Sequence, residues 1–442
     1  MLTKRLSFIF LLSTLFSATL LHAATYTAAS CNTSDVQAAI NQASNGDTVQ
    51  IPNGSCSWTT GISTTLQIWI RAQNYTAVTG GSSTRNVTIT NNSSTPLFTL
   101  TTGNSYHVRL SGIAFNEGTA ASNDLYVLGS GSMVALIDDD TFQVASRFGN
   151  EPGIAVIAWE SLGGVIWDQY MIGVGAGTGG DCCPDGASFY VKMEGVIPWA
   201  SNSTLGTLDT NGSSNLYIED STWTNFGQSP DMDDGARVVI RHTTLNGNSG
   251  LTHGFTSAYG GRQFEYYNDT FTTTTSNRNV AGRYFWARAG TGVFHDNSVA
   301  YQNQGYGTPL LWEGIVECPQ NGSGGGYTCT SGQVPDNSSL IGSGPEVERQ
   351  VGTGWDSGSG GYHIDPVYLW NNCESGDTLP CTGDSTWGTQ SPGFVTLNRD
   401  IFVDSGAKPS YTPYTYPHPL RSSVSGAGTA PAPPTNLQAT VQ

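Results

Sequence analysis

Leu-Tyr-Ile-Glu-Asp-Ser-Thr-Trp at residues 216–223 is followed by Val-Val-Ile-Arg-His-Thr-Thr-Leu at 238–245, Phe-Glu-Tyr-Tyr-Asn-Asp-Thr-Phe at 264–271 and Gly-Val-Phe-His-Asp-Asn-Ser-Val at 292–299. Counted between their last residues, the four copies are 22, 26 and 28 residues apart. A repeat of this period decides the architecture before any other pattern is weighed. Each copy alternates for one short strand, meets a polar turn and closes on one large apolar residue, which is strand chemistry rather than helix chemistry. Strands this short cannot bury an apolar face alone, so successive copies must stack. The expected fold is all-β, a parallel solenoid with one repeat per coil.

Stacking turns sequence columns into ladders. The first, third and last residue of each copy are apolar or aromatic, Gly292 excepted, and are expected to face the interior. The second and fourth then point outward. Their columns read Tyr217, Val239, Glu265, Val293 and Glu219, Arg241, Tyr267, His295. If no coil is skipped, the second of these is an exposed ladder suited to an anionic or hydroxyl-rich polymer lying along the helix, with a solvated face of paired charges as the alternative. Further copies at 108–115, 135–142 and 165–172 extend it through Ser111, Asp138 and Asp168. The stretch between Ile172 and Trp223 has room for two coils and a Gly-rich loop at 173–185.

Lys4 and Arg5, an apolar run to Leu21 and a small-residue stretch make residues 1–23 a secretory signal, so a secreted protein is expected. No later apolar run reaches the length of a membrane span. Charged residues make up 12% of the chain against 55 glycines, a composition for β-structure and turns. A net charge of −17 excludes nucleic acid as a natural partner and disfavours strongly acidic polymers unless a local basic patch or calcium intervenes. The eight cysteines of an exported chain are expected to be oxidised. Sequence proximity pairs Cys31 with Cys56, Cys318 with Cys329 and Cys373 with Cys381. Adjacent Cys182 and Cys183 are open to a vicinal bridge, to pairing elsewhere or to staying reduced.

Residues 34–43 carry apolar positions at helical spacing, followed by Gly46–Pro52, a turn into a strand. A short helix there covers the open end of the first coil. The run VQAAINQASNGDTVQIPNG resembles the N-terminal cap of secreted right-handed parallel β-helix proteins of the pectate-lyase-like superfamily, and FEYYNDTF and GVFHDNSV are similar to their coil repeats. The resemblance spans roughly residues 25–420 and implies a right-handed parallel β-helix acting on polysaccharide. The expected organisation is a signal at 1–23, a β-helix domain at 24–421, and a Pro/Ser/Gly-rich linker at 422–442. Within the domain, 318–362 reads as a long loop and the Pro/Tyr-rich stretch 408–421 as a strap packed back along the solenoid. The linker's last residues resemble the opening strand of a fibronectin type III module.

Three groups carry candidate chemistry. Asp231, Asp233 and Asp234 form the densest acidic cluster, open to acid/base work by paired carboxylates, to Ca²⁺ binding by Asp231 and Asp233, or to a plain capped turn. Asp233 and Asp234 followed by His253 and Gly254 are similar to polygalacturonase-type glycoside hydrolases, although the Arg-x-Lys those enzymes carry is missing after Arg283 and Arg288. Arg241, Arg262, Arg283 and Arg288 stand close together in a chain poor in cations, which resembles a β-helix polysaccharide lyase: Tyr267 or His253 as base, Arg241 or Arg288 stabilising the enolate-like charge. Arg262, Arg283, Glu219, Glu265 and His295 are then expected to bind substrate, with Trp312, Trp355 and Trp370 as surface stacking platforms. The reading is an exported, monomeric enzyme that cleaves a polysaccharide by hydrolysis or β-elimination, with a non-catalytic glycan-binding surface protein and a purely structural solenoid as alternatives.

Overall fold

The computed structural model describes residues 23–422 apart from 120–121, 146–155, 175–188, 194–208, 210, 225–228, 248–249, 253–260, 273–283, 301–309, 314–350, 357–360, 375–380, 382–384 and 390–394. Apart from the antiparallel pair Thr353–Asp356 and Gly361–Ile364, its strands fall into three long parallel sheets, one of twelve strands and two of ten. The chain visits the sheets in turn, one strand in each per coil, which makes a right-handed parallel β-helix. The first sheet holds the repeats. Leu216, Val238, Phe264 and Gly292 pair in one register line, and Glu219, Arg241, Tyr267 and His295 in another. No coil is skipped. Helix Thr33–Ile40 buries Val36, Ala39 and Ile40 at the N-terminal end, beside the Cys31–Cys56 disulfide. Cys373–Cys381 is also closed, while Cys182, Cys183, Cys318 and Cys329 lie outside the described residues.

A tight turn joins each first-sheet strand to the second sheet, and its two residues have different tasks. The first adopts a left-handed backbone in coil after coil: Asp139, Asp168, Asp220, His242, Asn268, Asp296 and Asn371 all have φ between 47° and 57°. Asp and Asn tolerate this region best among residues with a Cβ, which explains the polar column. The second residue turns inward and is buried. Its side-chain oxygen accepts the backbone N–H of the matching residue in the preceding coil: Thr243 to Asp269 (2.8 Å), Asp269 to Asn297 (2.9 Å), Asn297 to Asn372 (3.3 Å). Asn297 adds donor bonds to Tyr266 O and Asn372 Oδ1. Burial raises the Asp140 and Asp269 carboxyls well above their usual range.

Inside the coils the apolar columns form one continuous core from Ala28 to Ile401. Aromatic rings stack between coils, as in Phe115–Phe142 (4.9 Å between centroids) and Tyr266–Phe294 (4.9 Å), each worth about 0.5–1.5 kcal/mol beyond its buried area.

Two expectations need correction. In the copy at 165–172 the strand begins at Gly164, so Trp167, not Asp168, pairs with Asp138 and Glu219. Asp168 is the left-handed turn residue. The inward position falls to Gly164 because a Cβ there would meet the Trp159 ring at 2.3 Å. The stretch from Ile172 to Trp223 is one coil, not two, since Met171 pairs directly with Trp223.

Replacing Asn297 with Ala removes two donor bonds and one acceptor bond from this ladder. The expected cost is about 1–3 kcal/mol, read from urea unfolding. An unchanged midpoint would show that the ladder contributes nothing net.

Candidate functional site

The outward face of the first sheet was expected to be open, and it is covered. Residues 408–421 run back across it from Lys408, at Asp365, to Arg421, at Asp168. The expected binding ladder is what the strap grips. Arg241 donates through Nε to Glu219 (2.8 Å) and through NH1 to the Tyr267 hydroxyl and the Tyr414 carbonyl (2.6 Å each). Its NH2 donates to the Thr415 carbonyl (2.9 Å). Glu219 also accepts the His418 N–H and pairs with Arg421. Glu265 accepts from the Tyr411 hydroxyl (2.8 Å), and His295 lies between the rings of Tyr267 and Trp370. Glu219 and Arg241 are 0% exposed.

These positions therefore cannot meet a polymer as first expected. Arg241 is spent on one carboxylate, one phenol and two carbonyls. The Tyr267 phenol is pushed up, mainly by burial, and at 2% exposure it lies out of a polymer's reach. Trp370, expected at the surface, packs under Tyr411 against His295. What made these columns look functional was real chemistry, directed at the chain's own C-terminal segment.

The third sheet presents a different surface. Its register aligns Tyr126, Ala158, Tyr190 and Asp231 in one line and Leu128, Glu160, Lys192 and Asp233 in the next. Val191 and Met232 between them are core residues, so both lines point outward. The Tyr190 hydroxyl donates to Asp233 Oδ2 (2.6 Å), and the Asp234 backbone N–H donates to Asp233 Oδ1 (2.9 Å). Lys192 stands 3.7 Å from Asp234 and 5.0 Å from the Tyr190 ring centroid, with its side chain 33% exposed. Burial and the neighbouring Asp233 push the Tyr190 phenol well above its usual range, so it keeps its proton. The result is two buried carboxylates under a half-exposed phenol and a half-exposed ammonium.

This brings Asp231, Asp233 and Asp234 together as expected, yet as supports rather than as surface acids. Asp233 has both oxygens engaged, and among the described residues no group of three or more His, Cys, Asp or Glu side chains is arranged to hold a metal ion. Arg288 is half-buried with its guanidinium over the Trp286 ring (5.6 Å), while Arg262 is buried where a first-sheet strand begins. His253 and Arg283 lie outside the described residues, and Trp312 is placed on a third-sheet strand opposite Trp286 with its side chain outside them. Lys192 and Tyr190 were missed. Phe-Tyr-Val-Lys at 189–192 has the alternation of a strand but lacks the polar turn by which the first-sheet copies were recognised.

No family model matches the chain, and no curated protein does. Similar solved structures include a PL6 alginate lyase in complex with a trisaccharide (12% identity, TM-score 0.39), covering 83% of this chain and 84% of that one. Another is an arginine-to-alanine mutant of the PL6 family alginate lyase AlyGC (12%, 0.41; 92% and 59% covered). A third is the PL6 family polysaccharide lyase Pedsa3628 from Pseudopedobacter saltans (12%, 0.38; 91% and 90% covered). The fold is a right-handed parallel β-helix. Its three parallel sheets and one-strand-per-sheet coils carry that statement, and likenesses this distant say nothing of what the chain acts on. Among the described residues no helix is long and apolar enough to cross a membrane.

Two predictions concern the covered face. Arg241→Ala leaves Glu219 buried with part of its pairing gone and should cost about 3–5 kcal/mol in urea unfolding, with faster proteolysis of the strap. Unaltered stability would mean that the strap is held by other contacts. The second concerns Asp139, which accepts the Val78 N–H (2.8 Å) and faces Arg85. Its carboxyl is pushed up to about 7, chiefly by burial. A folded-state value above that of free aspartate means stability that is complete at low pH and is lost as the pH rises through about 7. Asp139→Asn is therefore expected to gain little over the wild type below about pH 4, to gain progressively between about pH 4 and 7, and to hold that gain above; a gain that does not depend on pH would contradict this.

Proposed function

We propose that the chain is an exported enzyme that cleaves a uronic-acid-containing polysaccharide by β-elimination on the outward face of the third sheet. The observation that carries this reading is the 2.6 Å bond from the Tyr190 hydroxyl to Asp233 beside the half-exposed Lys192. Elimination needs a group that removes the proton on C5, a cation that neutralises the adjoining carboxylate, and a proton for the departing O4. Lys192 supplies the cation. Tyr190 passes its own proton to Asp233 as it accepts the C5 proton. The C5 electron pair forms the C4=C5 double bond as the C4–O4 bond breaks. Tyr190 then gives a proton to O4 and recovers one from Asp233, so both groups end as they began. A phenol held this firmly protonated can work as a base only if its proton has somewhere to go, and Asp233 is that place.

Hydrolysis by Asp233 and Asp234 is less well supported. A hydrolase sets two carboxyls on either side of the scissile bond. Here both lie beneath Tyr190 and Lys192 and are bonded to them or to backbone.

The test is incubation of the purified protein with uronic polysaccharides, following the ultraviolet absorbance of unsaturated products and reducing ends together. Tyr190→Phe and Lys192→Ala are each expected to lower unsaturated product by about 10²–10⁴-fold; the half-exposed Lys192 is replaced with little change in the unfolding midpoint, whereas Tyr190→Phe, which leaves buried Asp233 without its donor, costs about 1–3 kcal/mol and stays folded. Reducing ends without unsaturated product would move the assignment to hydrolysis. Saturable binding with no change in polymer length would make the protein a glycan-binding module instead.

A further inference from the structure

Glu160 occupies the same register line as Lys192, one coil toward the N-terminus, and it is exposed. Tyr126, on the coil before that, hydrogen-bonds to it; burial first and this bond second push the Tyr126 phenol up to about 12. The carboxylate is thus held in place rather than waving in solvent. Between the Tyr126 and Tyr190 phenols the neighbouring line holds only the methyl group of Ala158.

Coils stack about 4.8 Å apart, close to the length of one pyranose unit in an extended glycan, so a chain lying along this face meets about one sugar per coil. With a uronate carboxylate at Lys192, the next sugar toward the N-terminal end lies over Glu160. On the opposite side the neighbouring coil carries Asp231 and Asp233, buried beneath the surface but still negative neighbours of Lys192. Lys192 is therefore a cation between acidic neighbours. Among the described residues of this face the next cation is Arg288, beside Trp286, three coils further along the register line of Tyr190, Asp231 and Leu251. A homopolymer of uronic acid would set a carboxylate against Glu160 for each one it set against Lys192. Like charges one coil apart oppose binding, whereas hydroxyl, acetamido or amino groups would find an acceptor in Glu160.

We infer that Glu160 is a specificity-determining residue that admits a sugar without a carboxylate, and that the substrate is a heteropolymer in which uronic acid units alternate with neutral or amino sugars. This rests on the reading of Lys192 and Tyr190 as the cleaving site, and it adds which polymer that site takes.

The experiment compares kcat/KM on unsulfated chondroitin, in which uronate alternates with an N-acetylated amino sugar, and on polygalacturonate, in which every unit is a uronate. The wild type is expected to favour the alternating polymer by about tenfold or more, the effect of roughly 1.4 kcal/mol of like-charge repulsion. Glu160→Gln, and more strongly Glu160→Lys, should raise kcat/KM on polygalacturonate about tenfold and give no gain on the alternating polymer, which loses its acceptor, so the ratio between the two polymers falls by about tenfold or more. A wild-type preference for polygalacturonate, or a ratio that Glu160→Gln does not move, overturns the inference and leaves the site reading intact. Lys192→Ala separates the two: full activity of that variant on whichever polymer is cleaved overturns the site reading itself, and cleavage of neither polymer by the wild type overturns both.

Discussion

A two-residue turn, repeated along one edge of the solenoid, is the constraint on which the rest depends. Its first residue must accept a left-handed backbone, and its second must bring a side-chain oxygen inside to take the N–H of the coil before. Thr243, Asp269, Asn297 and Asn372 hand this bond along four coils. These coils are thereby locked in register to one another, and a slip of one residue would expose the apolar column and orphan the buried polar groups. With the register held, side-chain identity at each outward position becomes a position in space. The two outward faces considered above can then be compared residue by residue.

The two faces solve opposite problems. On the first sheet, Glu219, Arg241, Tyr267 and Glu265 are sealed by the strap, and desolvated charges there are matched by partners contributed from residues 411–421. A second apolar cluster, Leu136, Val165, Trp167, Tyr217, Val239, Tyr267 and Tyr414, packs between sheet and strap. That is the composition of an interior, and it gives the long, thin solenoid a second line of support outside its core. On the third sheet the carboxylates lie buried while a phenol and an ammonium above them still reach solvent. Groups held in place from below and open from above suit the handling of a bound chain.

Much of the architecture was legible in the sequence because it is periodic. The copies between Leu216 and Val299 name the strands, their inward and outward columns and even their pairing partners. Legibility failed where periodicity did. Gly164 carries no side chain with which to announce an inward position, so the pattern of side chains begins one residue after the strand does. The coil containing Phe189–Lys192 strays far from the usual period and is long enough to hold two. The candidate site was harder for a different reason. An outward column of Glu, Arg, Tyr and His looks the same whether it meets a substrate or a distant part of the chain. The burial of Arg241 depends on Tyr414 and Thr415, more than 170 residues away, which no local pattern reveals. Lys192 lay in the opposite blind spot, a single cation on a strand with no recognisable turn.

The most direct test of this division of labour is hydrogen–deuterium exchange with and without a uronic oligosaccharide bound, read by peptide. Protection confined to the third-sheet strands Ile157–Glu160, Phe189–Lys192 and Asp231–Asp233 is the predicted result, with residues 408–421 and the first-sheet strands beneath them unchanged. Protection of the first-sheet strands, or release of the strap to admit the ligand there, would contradict it.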